Sequence, residues 1–287
     1  MVYGIIELIN FAHGDIFMMG TLVTLTIMNW FGIVAENPPQ SLTWDLVAKL
    51  VVTAIGSFLA CAILGVIIER VAYRPLRNAP RLAPLISAIG VSLVLEDTGK
   101  LWKGNTDIPF PALPFGSFQV GAVSISSITV FILLIALMLM VGLHLLVTHT
   151  RLGRAMRAVA QDREAAALMG VNVNRIISVT FFIGAGLAGA AGFIYSLQFP
   201  NTNFSIGYDL GLVAFTCAVL GGIGNIVGAM VGGLIIGIVR SLVSEIPGTV
   251  LPHGGDAWVS AVVYGVLILI LVFRPSGLLG QQTPEKV

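Results

Sequence analysis

The sequence contains few charged residues. Asp, Glu, Lys and Arg make up 10% of its 287 residues, whereas a soluble domain carries about 25%, and 56% of the residues are hydrophobic. The formal net charge of +1 argues against a nucleic-acid partner. This composition predicts an integral membrane protein whose outer surface contacts lipid.

Several features of enzymes and metalloproteins are also absent from the sequence. Cys61 and Cys217 lie inside apolar runs with no second ligand at metal spacing, which predicts small buried side chains and no metal site. There is no G-x-x-x-x-G-K-[ST] phosphate loop, and no nucleophile, base and orienting group occur together. We therefore expect no ATPase site, no catalytic residue and no cofactor. The first ten residues lack a basic region and include Glu7, so they do not predict a cleavable signal peptide.

Apolar runs separated by polar connections extend along the whole chain. They cover residues 16–34, 46–68, 82–95, 125–147, 176–199, 210–220, 226–243 and 258–273. A helix needs about 20 residues to cross the hydrocarbon core, so the run at 82–95 is predicted to be short, tilted or interrupted. Residues 1–10 are predicted to be half of a broken helix, or the end of one that begins upstream. The sequence thus predicts an all-α membrane protein of about eight transmembrane or broken helices in one polytopic domain, residues 1–287.

The basic residues are concentrated in alternate connections. The loops at 70–81 and 148–175 and the tail after Phe273 carry four, five and two Lys or Arg residues, against two in the four remaining loops together. Cytoplasmic loops are enriched in Lys and Arg, so these two loops and the C-terminus are predicted to be cytoplasmic. The expected location is the plasma membrane of a bacterial-type cell.

The loop at 148–175 has the pattern of two short helices. Three arginines at intervals of three residues predict one basic helical face: Arg151, Arg154 and Arg157. Asp162 can cap a second helix of about two turns, roughly 10 Å long, that contains Glu164, Ala165 and Ala166 and is closed by Gly170. The loop is then either a solvated connector or a docking element for a partner protein.

Two polar stretches interrupt the apolar segments. In INFAHGD, the side chains of Asn10, His13 and Asp15 are candidates for a substrate or proton path, or alternatively for capping a broken helix, with Asp15 at the start of the segment beginning at Ile16. In GGIGN, a helix break could offer free backbone groups to a ligand, or could be a tight interhelical turn. The candidate residues in that stretch are Gly221, Gly222, Gly224 and Asn225.

Small residues recur at helical spacing in the segment that follows. Gly228 and Gly232 are four apart, and Gly233 and Gly237 repeat that spacing one residue further round the helix. In lipid, small residues at this interval allow helix backbones to pack closely. The pattern indicates packing within this chain or, alternatively, dimerisation of two subunits.

Five blocks of the sequence together resemble the permease subunits of branched-chain amino-acid ABC uptake systems, of the LivH type. The loop at 148–175 also resembles the EAA-x3-G loop of ABC-importer permeases. Its matching residues are Glu164, Ala165 and Ala166, followed after three residues by Gly170. The Leu-Pro that often follows that loop in the family is absent. The blocks run from MVYGIIELINFAHGDIFMMG through ERVAYRPLRNAPRLAPLISAIGVSL, TRLGRAMRAVAQDREAAALMGVNVNRII and AVLGGIGNIVGAMVGGLIIG to RPSGLLG.

The resemblance implies the ABC-importer permease fold and a set of partners. These are a second, LivM-like permease, two ATP-binding subunits and an extracytoplasmic substrate-binding protein. It also implies that the helix from Glu164 to Gly170, flanked by the three arginines, docks on an ATPase, and that the breaks at 10–15 and 221–225 line the path. The alternative is the same architecture with urea or short amides as the solute. Family members usually have a further apolar stretch before MVYG, which raises the expectation that the natural N-terminus lies upstream of Met1.

Overall fold

The structure is a computed structural model that describes residues 10, 12–77, 79–80, 82–121, 123–274 and 276–280. The described residues form ten α-helices. They are α1 (Ala12–Trp30), α2 (Trp44–Ile68), α3 (Leu82–Lys103), α4 (Ser127–His149), α5 (Arg151–Gln161), α6 (Arg163–Leu168), α7 (Val173–Gln198), α8 (Ile206–Gly221), α9 (Ile226–Ser244) and α10 (Val259–Phe273). A π-helical turn at Glu69–Tyr73 and a 3-10 turn at Arg74–Leu76 extend α2, and a 3-10 turn at Gly255–Trp258 precedes α10.

Eight of these helices correspond to the predicted membrane segments. By length and composition, six helical segments in the described residues can cross a membrane, and they contain α2, α3, α4, α7, α9 and α10. Helices α1, of 19 residues, and α8, a shorter apolar helix of 16, complete the set. The predicted all-α membrane fold with about eight helices is therefore confirmed.

The prediction of a short segment at 82–95 is wrong. Helix α3 continues to Lys103 and has 22 residues, long enough to cross a membrane. Its last two turns are polar and include an ion pair between Lys100 Nζ and Asp97, 3.6 Å apart. Gly104, with φ +94°, then ends the helix. The apolar run ended before the helix did because the final turns carry charges.

Helix α1 begins earlier than the sequence predicts. It begins at Ala12, so Asp15 lies inside the first turn and is not the cap of a helix that begins at Ile16. The capping interpretation of Asp15 is therefore wrong. The half-helix predicted for residues 1–10 falls almost entirely on residues 1–9, outside the described part of the chain.

Four short strands occur in the described part of the connections, and the sequence did not predict them. Strand β1 (Ile108–Pro109) pairs antiparallel with β4 (Asn201–Thr202), and β2 (Ser117–Val120) pairs antiparallel with β3 (Val123–Ser126). A hydrogen bond of 2.7 Å between the hydroxyls of Thr202 and Thr21 joins β4 to α1. The connection before α8 is thus held against a membrane helix.

The described residues divide into two compact units, one ending at Asp209 and one beginning at Leu210. In the first unit, α1, α2 and α7 pack with their backbones in contact. A Cβ placed on Gly20 would lie 2.8 Å from Gly189 Cα, and one on Gly189 would lie 2.4 Å from the carbonyl oxygen of Ser57. The Ser57 hydroxyl is 3.1 Å from the Gly20 carbonyl and 2.9 Å from the Gly189 carbonyl, so it bonds between the three helices.

In the second unit, α8 and α9 form an antiparallel pair that packs with α10. Leu220, Ile236 and Val263 are the buried apolar residues at the centre of this unit. A Cβ on Gly232 would lie 2.1 Å from the carbonyl oxygen of Cys217, so the two helices approach as closely as glycine permits. The prediction of a single polytopic domain stays a prediction.

We expect Gly189→Ala to destabilise the first unit by about 1–3 kcal/mol, because the added methyl group overlaps the Ser57 carbonyl. The matched control is Gly90→Ala on α3, where a Cβ meets no atom of the described part of the chain within 4 Å and the substitution is neutral or stabilising by up to about 1 kcal/mol. The measurement is the midpoint of thermal unfolding of the purified protein in detergent. Equal midpoints for the two variants would contradict the close packing.

Candidate functional site

Helix α5 is amphipathic, as its arginine spacing predicts. Arg151, Arg154 and Arg157 are exposed, whereas Met156 and Val159 are buried. The helix turns tightly out of α4. The Thr150 hydroxyl caps it by accepting from the Gly153 amide at 3.0 Å, and a Cβ on Gly153 would lie 2.2 Å from the Val147 carbonyl. The Arg157 guanidinium also donates to that carbonyl.

Helix α6 has both of the predicted end signals. The Asp162 carboxylate accepts from the amides of Glu164 and Ala165 at 2.9 and 3.0 Å. At the other end, Gly170 has φ +83° and its amide donates to the Ala167 carbonyl at 3.0 Å, while the next amide, that of Val171, donates to Ala166 at 3.0 Å. The predicted short capped helix is confirmed, and its six residues are about 9 Å long.

The surface of α6 carries a feature that the sequence analysis missed. Ala166 is buried, whereas Glu164 and Ala165 are exposed. Leu168 and Met169, at the end of the helix, are 89% and 85% exposed. Two large apolar side chains standing out from a polar loop form a surface that a partner can cover. The dipeptide directly before the closing glycine was the signal for it.

A buried ion pair lies at the same end of the first unit. Glu69, the first residue of the π-helical turn, is completely buried, and Arg77 forms a salt bridge with it. The Ser178 hydroxyl donates to the second carboxylate oxygen at 2.7 Å, and the Arg77 guanidinium also donates to Asn174. Burial lowers the pKa of Arg77, and the charge of Glu69 opposes that shift. Glu69 lies between the apolar run at 46–68 and the loop at 70–81, and the sequence pattern did not predict its burial.

Asn10, His13 and Asp15 lie at the start of α1 in different environments. The Tyr73 hydroxyl donates to the Asn10 side-chain oxygen at 2.7 Å, and the His13 amide donates to the Asn10 carbonyl at 3.1 Å. The His13 side chain is exposed, whereas Asp15 is buried and accepts a hydrogen bond from Ser92. The structure therefore brings Asn10 to the π-helical turn and Asp15 to the middle of α3.

The Asp15 carboxylate also lies against the start of α8. A Cβ on Gly207 would be 2.6 Å from Asp15 Oδ1, so the carboxylate reaches the first turn of that helix. The N-terminal turn of a helix has exposed amide groups and a partial positive charge, which favour a carboxylate. A buried carboxylate on a membrane helix, with a hydroxyl and a helix start around it, is suited to meeting a charged or polar solute group.

In the second unit, Gly221–Asn225 forms the tight turn between α8 and α9. Gly222 and Gly224 have φ of +103° and +93°, values that favour glycine. The side-chain oxygen of Asn225 accepts from the Gly228 amide at 2.9 Å, and its side-chain nitrogen donates to the Leu279 carbonyl at 2.8 Å. The turn alternative explains these glycines, and a part for them in a substrate path stays a prediction.

The four glycines of α9 have two different environments. A Cβ on Gly228 would lie 2.2 Å from the Gly221 carbonyl, and Gly232 packs against Cys217, so both pack within the chain. A Cβ on Gly233 or Gly237 would meet no atom of the described residues within 4 Å. Gly228 and Gly232 thus pack closely within the chain, whereas the part of Gly233 and Gly237 in helix packing or dimerisation stays a prediction.

A sequence profile of the family described as the permease component of branched-chain amino acid transport systems matches residues 1–272. The chain belongs to this permease family. The permease is 40% identical to the high-affinity branched-chain amino acid permease protein BraD of Pseudomonas aeruginosa, over 100% of this chain and 91% of the relative. It is also 40% identical to LivH of Escherichia coli K12, over 100% of this chain and 90% of the relative.

A third relative is less similar to the chain. The permease is 28% identical to the probable branched-chain amino acid permease protein LivH of Methanocaldococcus jannaschii, over 94% of this chain and 82% of the relative. No solved structure is significantly similar to the chain.

We expect Arg77→Met to destabilise the permease by about 3–5 kcal/mol, because it leaves the buried Glu69 carboxylate without its cation. The matched control is Lys49→Met, which breaks a pair with Asp45 in which the two side chains are 33% and 73% exposed and costs less than about 1 kcal/mol. The midpoint of thermal unfolding in detergent measures both changes. If Arg77→Met lowers the unfolding midpoint no more than Lys49→Met does, the burial of Glu69 does not depend on Arg77.

Proposed function

We propose that this permease is one of two membrane subunits of an ABC importer that takes up branched-chain or other neutral amino acids. ATP hydrolysis takes place on two separate subunits, and an extracytoplasmic binding protein delivers the amino acid. The observation that carries the proposal is the full-length identity of 40% to the BraD and LivH permeases, whose names specify branched-chain amino acid transport. Those names support this solute class over urea or short amides.

The docking of an ATPase is assigned to the loop at 148–175. Helix α6 is capped at both ends, and Glu164, Leu168 and Met169 are exposed on it. Apolar side chains inside a groove on the ATPase would supply the contact area, and Glu164 would add a charge that selects the orientation. This assignment places the loop, the arginine-rich loop at 70–81 and the C-terminus on the cytoplasmic side.

The substrate path is assigned to the start of α1. A branched-chain amino acid is zwitterionic, with an apolar side chain, so it needs a few polar partners in an otherwise apolar path. Asp15 supplies a buried negative charge between α3 and α8, and the ammonium group of the solute is the partner of matching charge. Asn10 and His13 lie on the same short segment and complete the proposed lining.

The proposed coupling is tested with Glu164→Lys in the complete transporter, made of this chain, a second permease, the ATPase subunits and the binding protein. We expect leucine-loaded binding protein to stimulate ATP hydrolysis by the native transporter. The charge reversal should reduce that stimulation about tenfold, because it removes a favourable contact and introduces a repulsive one. Phosphate release in proteoliposomes is the measurement.

The matched control is Glu36→Lys, the same charge reversal at an exposed residue in the loop between α1 and α2. That loop is proposed to lie on the opposite side of the membrane, so stimulation should be unchanged. If the chain alone moves leucine in vesicles without ATP, and Glu164→Lys changes nothing, the importer proposal is wrong and the protein is a channel or carrier.

The role of Asp15 is tested with Asp15→Asn, which keeps the size of the side chain and its hydrogen bond from Ser92. We expect the rate of leucine uptake to fall at least about tenfold, because a hydrogen bond to a charged group contributes about 1.5–3 kcal/mol. Unstimulated ATP hydrolysis should be unchanged. Asp97→Asn, at an exposed carboxylate on α3, is the control. Uptake at the native rate with Asp15→Asn would show that Asp15 is not part of the path.

A further inference from the structure

The π-helical turn at Glu69–Tyr73 connects two regions that the proposed function treats separately. Its first residue, Glu69, accepts from Ser178 on α7 at 2.7 Å. Its last residue, Tyr73, donates to Asn10 at 2.7 Å, just before α1. One end of a single helical turn is thus bonded to the helix that follows the docking loop, and the other end is bonded to the proposed substrate path.

Helix α7 is closely joined to the docking helix. Only Met169–Asn172 separate α6 from α7, and Asn172 caps α7 by accepting from the Arg175 amide at 3.0 Å. The contacts of the ion pair fall on the first two turns of α7, at Asn174 and Ser178. A displacement of α6 by an ATPase is therefore passed to the residues that hold Glu69 and Arg77.

The burial of the Glu69 charge keeps the ion pair of Glu69 and Arg77 in contact with the start of α7. Glu69 is completely buried, and a carboxylate that loses its cation and its hydroxyl partner at such a position is strongly disfavoured. When the start of α7 moves, the lowest-energy response is for Glu69 and Arg77 to move with it. The other end of the turn also contacts α7, because the ring centroids of Tyr73 and Phe181 are 5.3 Å apart. We therefore expect this end of the turn to move with α7.

The conformation of the turn suits it to local movement. A π-helical turn, which is wider than an α-helical one, follows the end of α2, and such turns are frequently found at functional sites. One of its carbonyls, that of Ala72, accepts from the Ser87 hydroxyl on α3 at 3.2 Å. The turn is therefore held at α3, α7 and Asn10, and its backbone can adjust while α2 stays packed on α1 and α7.

We propose that the Glu69–Tyr73 turn transmits movement of the docking loop to Asn10, with Glu69 and Tyr73 as positioning residues that set when the path opens. The inference rests on the proposed function and adds the route by which movement driven by ATP hydrolysis is transmitted to the substrate path. Glu69 and Arg77 follow α7, and the Tyr73 hydroxyl moves Asn10.

The test is Tyr73→Phe in the complete transporter, which removes the hydroxyl and keeps the ring against Phe181. The measurement is the number of leucine molecules taken up per ATP hydrolysed in the presence of loaded binding protein. We expect this ratio to fall at least about threefold while stimulated hydrolysis persists. A general loss of folded protein would lower uptake and hydrolysis together and leave the ratio unchanged.

Two further variants show whether Tyr73 acts through Asn10. Asn10→Ala should lower the ratio as Tyr73→Phe does, and the double variant should lower it no further than either single variant, because each removes the same bond. The control, Thr180→Val, removes a buried hydroxyl on α7 whose one bond among the described residues is within its own helix, to Ile176 at 2.8 Å, and it should leave the ratio unchanged.

The outcomes separate this inference from the proposed function. If the native transporter neither takes up leucine nor hydrolyses ATP in response to it, the proposed function fails and the inference fails with it. If the native transporter is active and Tyr73→Phe leaves the ratio at the native value, the inference alone is overturned. A double variant whose loss equals the product of the two single losses also overturns it.

Discussion

The contact of helix backbones at Gly20, Gly189 and Ser57 is the constraint on which the first unit depends. Inside a bilayer, apolar side chains gain little by leaving lipid for one another, so helices associate through close approach and hydrogen bonding. Here α1 and α7 touch with no side chain between them, and one serine hydroxyl lies within 3.1 Å of a carbonyl on each. A larger residue at either glycine would separate α1, α2 and α7 and displace everything attached to their ends.

Two polar residues of the first unit, Glu69 and Asn10, lie at the ends of the helices that pack in this way. Ile16, Leu22 and Phe181 are nearly fully buried in the bundle of α1, α2 and α7. Glu69 and Asn10 lie at the end where α2 changes to π-helical geometry and α1 begins. Glu69 and Asn10 thus lie at the ends of helices, near the proposed docking loop and path.

The sequence was sufficient wherever local chemistry decides the structure. Asp162 and Gly170 end a short helix through bonds to their own neighbours, and the apolar runs give the membrane helices, so both features were predicted. The length of α3 was not predicted, because its last turns are polar and the apolar run ends before Glu96. Nor could the burial of Glu69 be predicted, since its partners Arg77 and Ser178 are 8 and 109 residues away and meet it only in the folded chain.

Local capping gives α6, the proposed docking helix, its stability. Six residues in isolation do not form a stable helix, since nucleation costs more than so few hydrogen bonds return. Caps at both ends satisfy the free amides and carbonyls, and Ala166 rests against the body of the first unit. The helix therefore keeps its shape with almost none of its surface buried, so Leu168 and Met169 remain exposed. An element that is rigid without burying its apolar residues can both bind a partner and pass on the partner's movement.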